Sequence, residues 1–249
     1  TYNPRPIGRV TLRAHGRIAA PPAEPQALRA IREAKTILIG PGSLSTSLIP
    51  NLLVRGIVRE LIAAKRSGVP VIWVWNTTQD IETHAHTVAS AVVQIEASLS
   101  ATFGRPHRFE EFVSHVIVNV PDLKSSVLSE YREANQRHLQ EILRDPKEIH
   151  KAGKLTYGFW EKETHAHMVR FFQDRGVKVY SGRFADLIEV PSREPGSLER
   201  ETHYRYRSSR LAWLVVLQQL FDRVGKLFIL SDMDASTTPT RQPISRPMA

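Results

Sequence analysis

Residues 37–54 read Ile-Leu-Ile-Gly-Pro-Gly-Ser-Leu-Ser-Thr-Ser-Leu-Ile-Pro-Asn-Leu-Leu-Val, and no other stretch restricts the fold as tightly. Positions 36–39 form a short apolar run without alternation, as expected of a strand buried on both faces. Gly40-Pro41-Gly42 ends that run. Glycine tolerates positive φ and lets backbone come close to a ligand. Ser43, Ser45, Thr46 and Ser47 follow as a dense set of small hydroxyls. From Arg55 the spacing becomes helical: Ile57, Val58, Leu61 and Ile62 share a face, and Gly68-Val69-Pro70 supplies the stop. A strand, a glycine turn, hydroxyls and then a helix can hold a phosphate, because backbone N–H groups point at the anion and the helix dipole favours it. The same order also describes an ordinary strand-to-helix turn, and residue types alone leave both readings open.

Positions 69–75 form a second apolar run, so strand, helix and strand make one βαβ unit with parallel strands and a right-handed crossover. Parallel strands place their carboxyl ends on one edge of the sheet, and ligands of open α/β sheets bind outside that edge. The loop at 40–47 leaves the first strand there, and Asn76-Thr77-Thr78-Gln79 leaves the second at the same edge. Two polar loops far apart in sequence are therefore expected to face one crevice. Further elements follow from local pattern. A strand is expected at 9–13, and a short helix follows Pro25 with Leu28 and Ile31 inward. Another helix is expected over 87–100, and a buried strand at 115–119 ends in Asn119. A charged surface helix covers 123–144. A helix at 163–175 is stopped by Gly176, and a strand runs over 177–180. Residues 191–202 read as a mobile loop, 208–223 as the last main helix, and 227–230 as a short strand. The segment 147–160 has no clear pattern.

With 249 residues the chain can bury a substantial core, and we read 1–230 as one α/β domain and 231–249 as a disordered tail. There are no cysteines, which excludes disulfides and thiolate metal sites and fits a cytoplasmic setting. No secretory signal or bilayer-length apolar run is present, so no membrane partner is expected. A net charge of +9 favours anionic partners. No nucleic-acid module is recognisable. The first residue is Thr1, which suggests a fragment or processed chain.

The stretch Gly40-Pro41-Gly42-Ser43-Leu44, then Thr46-Ser47, then Pro50-Asn51-Leu52-Leu53-Val54 resembles the signature of the CofD/YvcK family. The likeness runs from about Arg9 to Asp222 and is strongest over 30–83. One branch contains 2-phospho-L-lactate transferases, which build a deazaflavin cofactor. The other contains YvcK-type proteins, called gluconeogenesis factors, which bind nucleotide sugars and influence carbon metabolism and cell shape. The motif is closer to the second branch. The resemblance implies a Rossmann-like three-layer α/β fold with a mostly parallel sheet, lacking the family's first strand and glycine-rich loop. It also implies that Asn76, Thr78, Gln79, Glu82 and Thr83, which match a family loop in order, lie beside a nucleotide site. With Gly40, Gly42, Ser43, Thr46, Ser47, Asn51 and Arg207 they form the expected ligand-binding set. Asn and Gln suit a base edge, a sugar hydroxyl or a phosphate, or the capping of a loop.

Departures from the family pattern bear on activity. Ala85-His86 stand where Gly-Tyr is usual, Ser90-Ala91 where an Asp-His pair follows, and Tyr206-Arg207 replace another His-Asp pair. The missing segment contributes to nucleotide and metal binding in the transferases. The expected partner is therefore a nucleotide or nucleotide sugar. Mg²⁺ enters only if the chain is a transferase, and a scaffold without ligand is the third reading. Homo-oligomerisation stays open. Glu-Thr-His-Ala-His occurs at 82–86 and again at 163–167, but histidines at i and i+2 of a helix point about 200° apart, which favours capping or surface roles over a chelate. Tyr204-Arg205-Tyr206-Arg207-Ser208-Ser209-Arg210 precedes an expected helix and reads either as a phosphate-recognising cluster or as a solvated basic turn.

Overall fold

A computed structural model describes residues 8–79, 83, 86–121, 162–191 and 200–207, together with isolated positions at 126, 129, 130, 133, 137 and 210 and the short segments 158–159 and 227–230. The chain first forms a two-residue hairpin, β1 (Arg13–Ala14) and β2 (Arg17–Ile18), where a longer strand at 9–13 was expected. Helix α1 (Pro25–Glu33) starts with proline in its first turn, where the missing N–H costs nothing, and buries Ile31. Strand β3 (Thr36–Ile39) follows. Residues Leu44–Leu48 then wind into a π-helical turn that runs directly into α2 (Ile49–Leu52). Next come α3 (Ile57–Arg66), β4 (Val71–Val74), β5 (Thr78–Gln79) and α4 (Val88–Phe103). Helix α4 opens on a capping box between Thr87 and Ser90 and stops at Gly104, whose φ is 68°. The remaining elements are α5 (Phe109–Phe112), β6 (His115–Asn119), β7 (Gly158–Phe159), α6 (Lys162–Asp174), β8 (Lys178–Gly182), β9 (Ala185–Pro191), β10 (Arg200–Tyr206) and β11 (Leu227–Leu230).

Five strands form one fully parallel sheet in the order β11-β3-β4-β6-β8. From β3 to β8 each crossover steps the same way, and right-handed crossovers in one direction place their helices on one face. Side chains follow that rule. Ile37, Ile39, Trp73, Trp75, Val116 and Val118 point into the main core with Ile31, Leu48, Leu61, Ile95, Phe109 and Phe172 from the helices. The alternate residues Ile72, Val74 and Ile117 point to the opposite face, where Phe184 and Tyr206 cover them.

The expected strands at 36–39, 70–75 and 115–119 are present and parallel. One expectation needs correction. Residues 191–202 are not wholly a loop, since β9 and β10 pair antiparallel from Ala185↔Tyr206 to Arg200↔Pro191. Among the described residues the second face is packed by Phe184 and Tyr206. The last main helix at 208–223, the tail at 231–249 and most of the surface helix at 123–144 lie outside the described residues. Positions 126, 129, 130, 133 and 137 are helical and exposed.

Candidate ligand-binding edge

The loops leaving β3 and β4 meet at the carboxyl edge of the sheet. Gly42 N–H donates to Asn76 Oδ1 at 3.1 Å, and Asn76 Nδ2 donates to the Gly42 carbonyl at 2.8 Å. One side-chain amide therefore satisfies both backbone groups of Gly42, a reciprocal pair that fixes one loop against the other. Neither Gly40 nor Gly42 takes positive φ. The Gly-Pro-Gly turn thus serves the approach of a side chain to backbone, not a left-handed dihedral. After it, the Ser43 carbonyl accepts from both Ser47 N–H and Leu48 N–H at 3.0 Å. The helical winding begins here, well before the helix at Arg55 that residue spacing suggested. Such π turns recur at functional sites.

The hydroxyl cluster divides by burial. Ser45 is buried and its Oγ accepts from Gln94 Nε2 at 2.9 Å, which ties the π turn to α4. Thr46 is exposed, while Ser43 and Ser47 are half-buried. Gly40 is buried at the end of β3, and Asn51 is exposed on α2. Thr78 and Thr83 are buried, and Gln79 pairs through its backbone with Gly158. Glu82 lies outside the described residues. Between these segments lies a small cleft lined by Leu44, Leu48, Trp73, Trp75, Asn76, Thr83 and Ala91. Of these, Asn76 and Thr83 stand in the expected ligand-binding set, Thr83 through the family resemblance alone. For Trp73 and Trp75 a signal was present in their alternation on a strand that leads to Asn76.

A third segment reaches the same edge. Thr77 Oγ1 donates to the Tyr204 carbonyl at 3.1 Å, and Tyr206 O–H donates to the Trp75 carbonyl at 2.5 Å. Burial pushes the Tyr206 phenol far above its usual range, so it stays a donor. Asn119, at the end of β6, is buried. Its Oδ1 accepts from Phe184 N–H and Ala185 N–H at 2.9 Å each, and its Nδ2 donates to Tyr204 Oη at 3.1 Å. The hairpin β9–β10 is thereby pinned to the ends of β4 and β6. Tyr204 and Tyr206 lie on a strand, not in a basic turn, and Arg207 follows that strand. Arg207 Nε donates to Asp186 Oδ2 at 2.7 Å.

His86 is buried, with Nδ1 3.2 Å from Ser90 Oγ and its N–H donating to the Thr83 carbonyl. His86 of the first Glu-Thr-His-Ala-His copy is thus held locally, and His167 of the second copy is exposed on α6. Among the described residues no group of three or more His, Asp or Glu side chains is placed to hold a metal ion.

With the geometry in place, comparison with known proteins is informative. The family model described as 2-phospho-L-lactate transferase CofD matches residues 3–156, more than half of the chain. The chain belongs to the CofD family. Within it, the chain is 52% identical over 81 residues to a putative gluconeogenesis factor of Nostoc sp., covering 32% of this chain and 17% of that protein. It is 39% identical over 111 residues to a putative gluconeogenesis factor of Thermotoga maritima, covering 44% and 31%. It is 34% identical over 113 residues to the gluconeogenesis factor of Bacillus subtilis, covering 45% and 32%. The match thus spans about a third or less of these relatives' length. A crystallised member of the UPF0052 family from Bacillus halodurans aligns with a TM-score of 0.47 at 22% identity over 78% of this chain and 47% of that one. No helix among the described residues is long and apolar enough to cross a membrane.

Proposed function

We propose that this CofD-family chain binds a nucleotide or nucleotide sugar through its phosphate at the edge where 40–47 and 76–79 meet. The observation that carries the reading is the reciprocal Asn76–Gly42 pair, which locks two polar loops together at the carboxyl ends of adjacent parallel strands. In this reading Ser43, Thr46 and Ser47 offer hydroxyls to phosphate. Asn76 holds the glycine loop in place, and the apolar walls at Leu44, Leu48 and Trp75 receive the flatter part of the ligand. The gluconeogenesis-factor relatives support a regulatory role in carbon metabolism over transfer chemistry. The cleft itself supports the same choice. Ala91 lines it at one of the two positions where the family pattern has an Asp-His pair.

Calorimetric titration of UDP-sugars and guanine nucleotides tests this on the longest natural form of the protein. Gly42→Leu is expected to abolish binding through sterics. Thr46→Ala is expected to cost about 0.5–1.5 kcal/mol for a neutral hydrogen bond and up to about 3 for one to a charged phosphate. Unchanged affinity in both variants would remove the site from this edge. A parent that binds none of these compounds would favour a scaffold without ligand.

A further inference from the structure

Residues 8–66 carry ten Lys or Arg against three Asp or Glu, a net +7 of the chain's +9, and eight of those ten are arginine. The cations come from separate stretches, so no single segment of the sequence reads as basic. Folding gathers them on α1 and α3. The two helices pack side by side and run the same way, since Leu28 lies against Gly56 and, one turn later in each, Arg32 lies against Glu60. Both end at the amino edge of the sheet. Helix α1 leads into β3, and Lys65 near the end of α3 donates to the Glu110 and Val113 carbonyls just ahead of β6. The inner sides bury Ile31, Val58 and Leu61, while Arg29, Arg32, Lys35, Arg59 and Arg66 are exposed. Two carboxylates stand among these cations. Glu33 is exposed. Glu60 is buried between the helices, where it accepts from Arg32 Nε and Nη2 at 2.9 and 2.8 Å and from Arg59 Nη2 at 2.9 Å. Glu60 thus engages Arg32 through two donors and Arg59, 71% exposed, through one. Arg29, Lys35 and Arg66 make no hydrogen bond or ion pair among the described residues.

We propose that this outer face of α1 and α3 binds double-helical nucleic acid through its phosphates, without reading sequence. Arg29, Lys35, Arg59 and Arg66 are the contacts. Arg59 and Arg66 lie about 10 Å apart along their helix, and packed helix axes are about 8–10 Å apart, so the charge is spread over a patch that several phosphates occupy together. The guanidinium fork matches phosphate oxygens. Residues 8–66 contain no Phe, Trp or Tyr, so the face lacks the stacking platforms that hold single strands. The large apolar residues exposed among the described residues are Ile18 and Val93, neither on α1 or α3, so the face has no anchor for a lipid surface. A duplex, with dense backbone charge and its bases stacked inside, is the polyanion that fits. The inference stands independently of the nucleotide site.

Fluorescence anisotropy with a short labelled DNA duplex, in two unrelated sequences, tests this on the longest natural form of the protein. Both sequences should bind alike. Four phosphate contacts give a slope of about −3.6 in log affinity against log salt, roughly a 100-fold loss between about 50 and 200 mM. Joint replacement Arg29→Gln and Arg66→Gln should halve the slope to about −1.8 and weaken binding at least tenfold at about 50 mM salt. Arg170→Gln, which removes an exposed cation on α6, should leave both unchanged. No binding at about 50 mM salt, or a slope and affinity untouched by the double replacement, overturns the proposal. Tighter binding to the single strand of the same sequence, or loss of the duplex to phosphatidylglycerol vesicles at equal phosphate concentration, overturns it as well. Circular dichroism checks that the double variant folds. If it does not, the two single variants, each expected to take about 0.9 from the slope, are read in its place.

Discussion

Asn119 ties the β9–β10 hairpin to the end of β6, and its replacement has a calculable cost. In Asn119→Ala, the Phe184 and Ala185 N–H groups lose their acceptor and the Tyr204 hydroxyl loses its donor. Ala185 and Tyr204 are buried, so water does not readily replace these partners. An orphaned buried donor costs about 1–3 kcal/mol, and a satisfied neutral hydrogen bond contributes about 1. Phe184 is partly accessible and recovers some of its loss. The sum is about 3–4 kcal/mol. Asn119→Asp keeps both acceptor bonds, and the Tyr204 hydroxyl can rotate to donate to the carboxylate. Its cost is about 1–2 kcal/mol, set by burial of the charge. Urea unfolding followed by far-ultraviolet circular dichroism measures both. A change below about 1 kcal/mol for Asn119→Ala, or a larger loss for Asn119→Asp than for Asn119→Ala, would refute the reasoning.

Other expectations follow from the same structure. Gly56→Ala forces a Cβ onto φ 100° and to 3.1 Å from Leu28 Cδ2, which should cost about 1–2 kcal/mol in thermal or urea unfolding. Arg175 donates to Glu96 and Glu110 at 2.6 Å each. Arg175→Met should leave Glu96 without its cation and Glu110 paired with Arg108 alone, and destabilise by about 1–3 kcal/mol at neutral pH, with partial recovery at acid pH. Burial, then Lys178 and Lys65, lower the His115 imidazole from 6.5 to about 4. The unfolded chain therefore binds the proton first, so this contribution is complete above about pH 6.5 and lost as pH falls towards 4. The full linkage would be about 3 kcal/mol, and partial exposure reduces it to about 1–2. His115→Gln should flatten the stability profile in that window. Glu60, bound first by Arg32, is held at about 2, so its contribution is present above about pH 4.5 and fades towards pH 2, separable from that of His115 by Glu60→Gln.

The parallel core was legible because its strands are uninterrupted apolar runs such as Ile37 to Ile39, and because one helix between two such runs forces parallel pairing. The meeting of the 40–47 and 76–79 loops followed from that geometry alone. The hairpin β9–β10 was missed because Pro and Gly at 191–199 dominate the local composition. Its period-two signal, Thr202, Tyr204 and Tyr206 on one side of the strand, is short and is interleaved with Arg and His. What Asn76 does was also hidden: an amide that could meet a ligand is hydrogen-bonded to the Gly42 backbone, a long-range pairing that residue types do not encode. The pairing of Thr78 with Phe159 is hidden in the same way, since 147–160 carries no pattern of its own.

The most direct test of a ligand at this edge is amide hydrogen exchange with and without the nucleotide or nucleotide sugar that titrates tightest. Binding should slow exchange at 42–48 and 76–79 and leave the amino-terminal ends of the strands, near Thr36 and His115, unchanged. Saturation that protects other segments while 42–48 and 76–79 exchange as in the free protein would contradict the account.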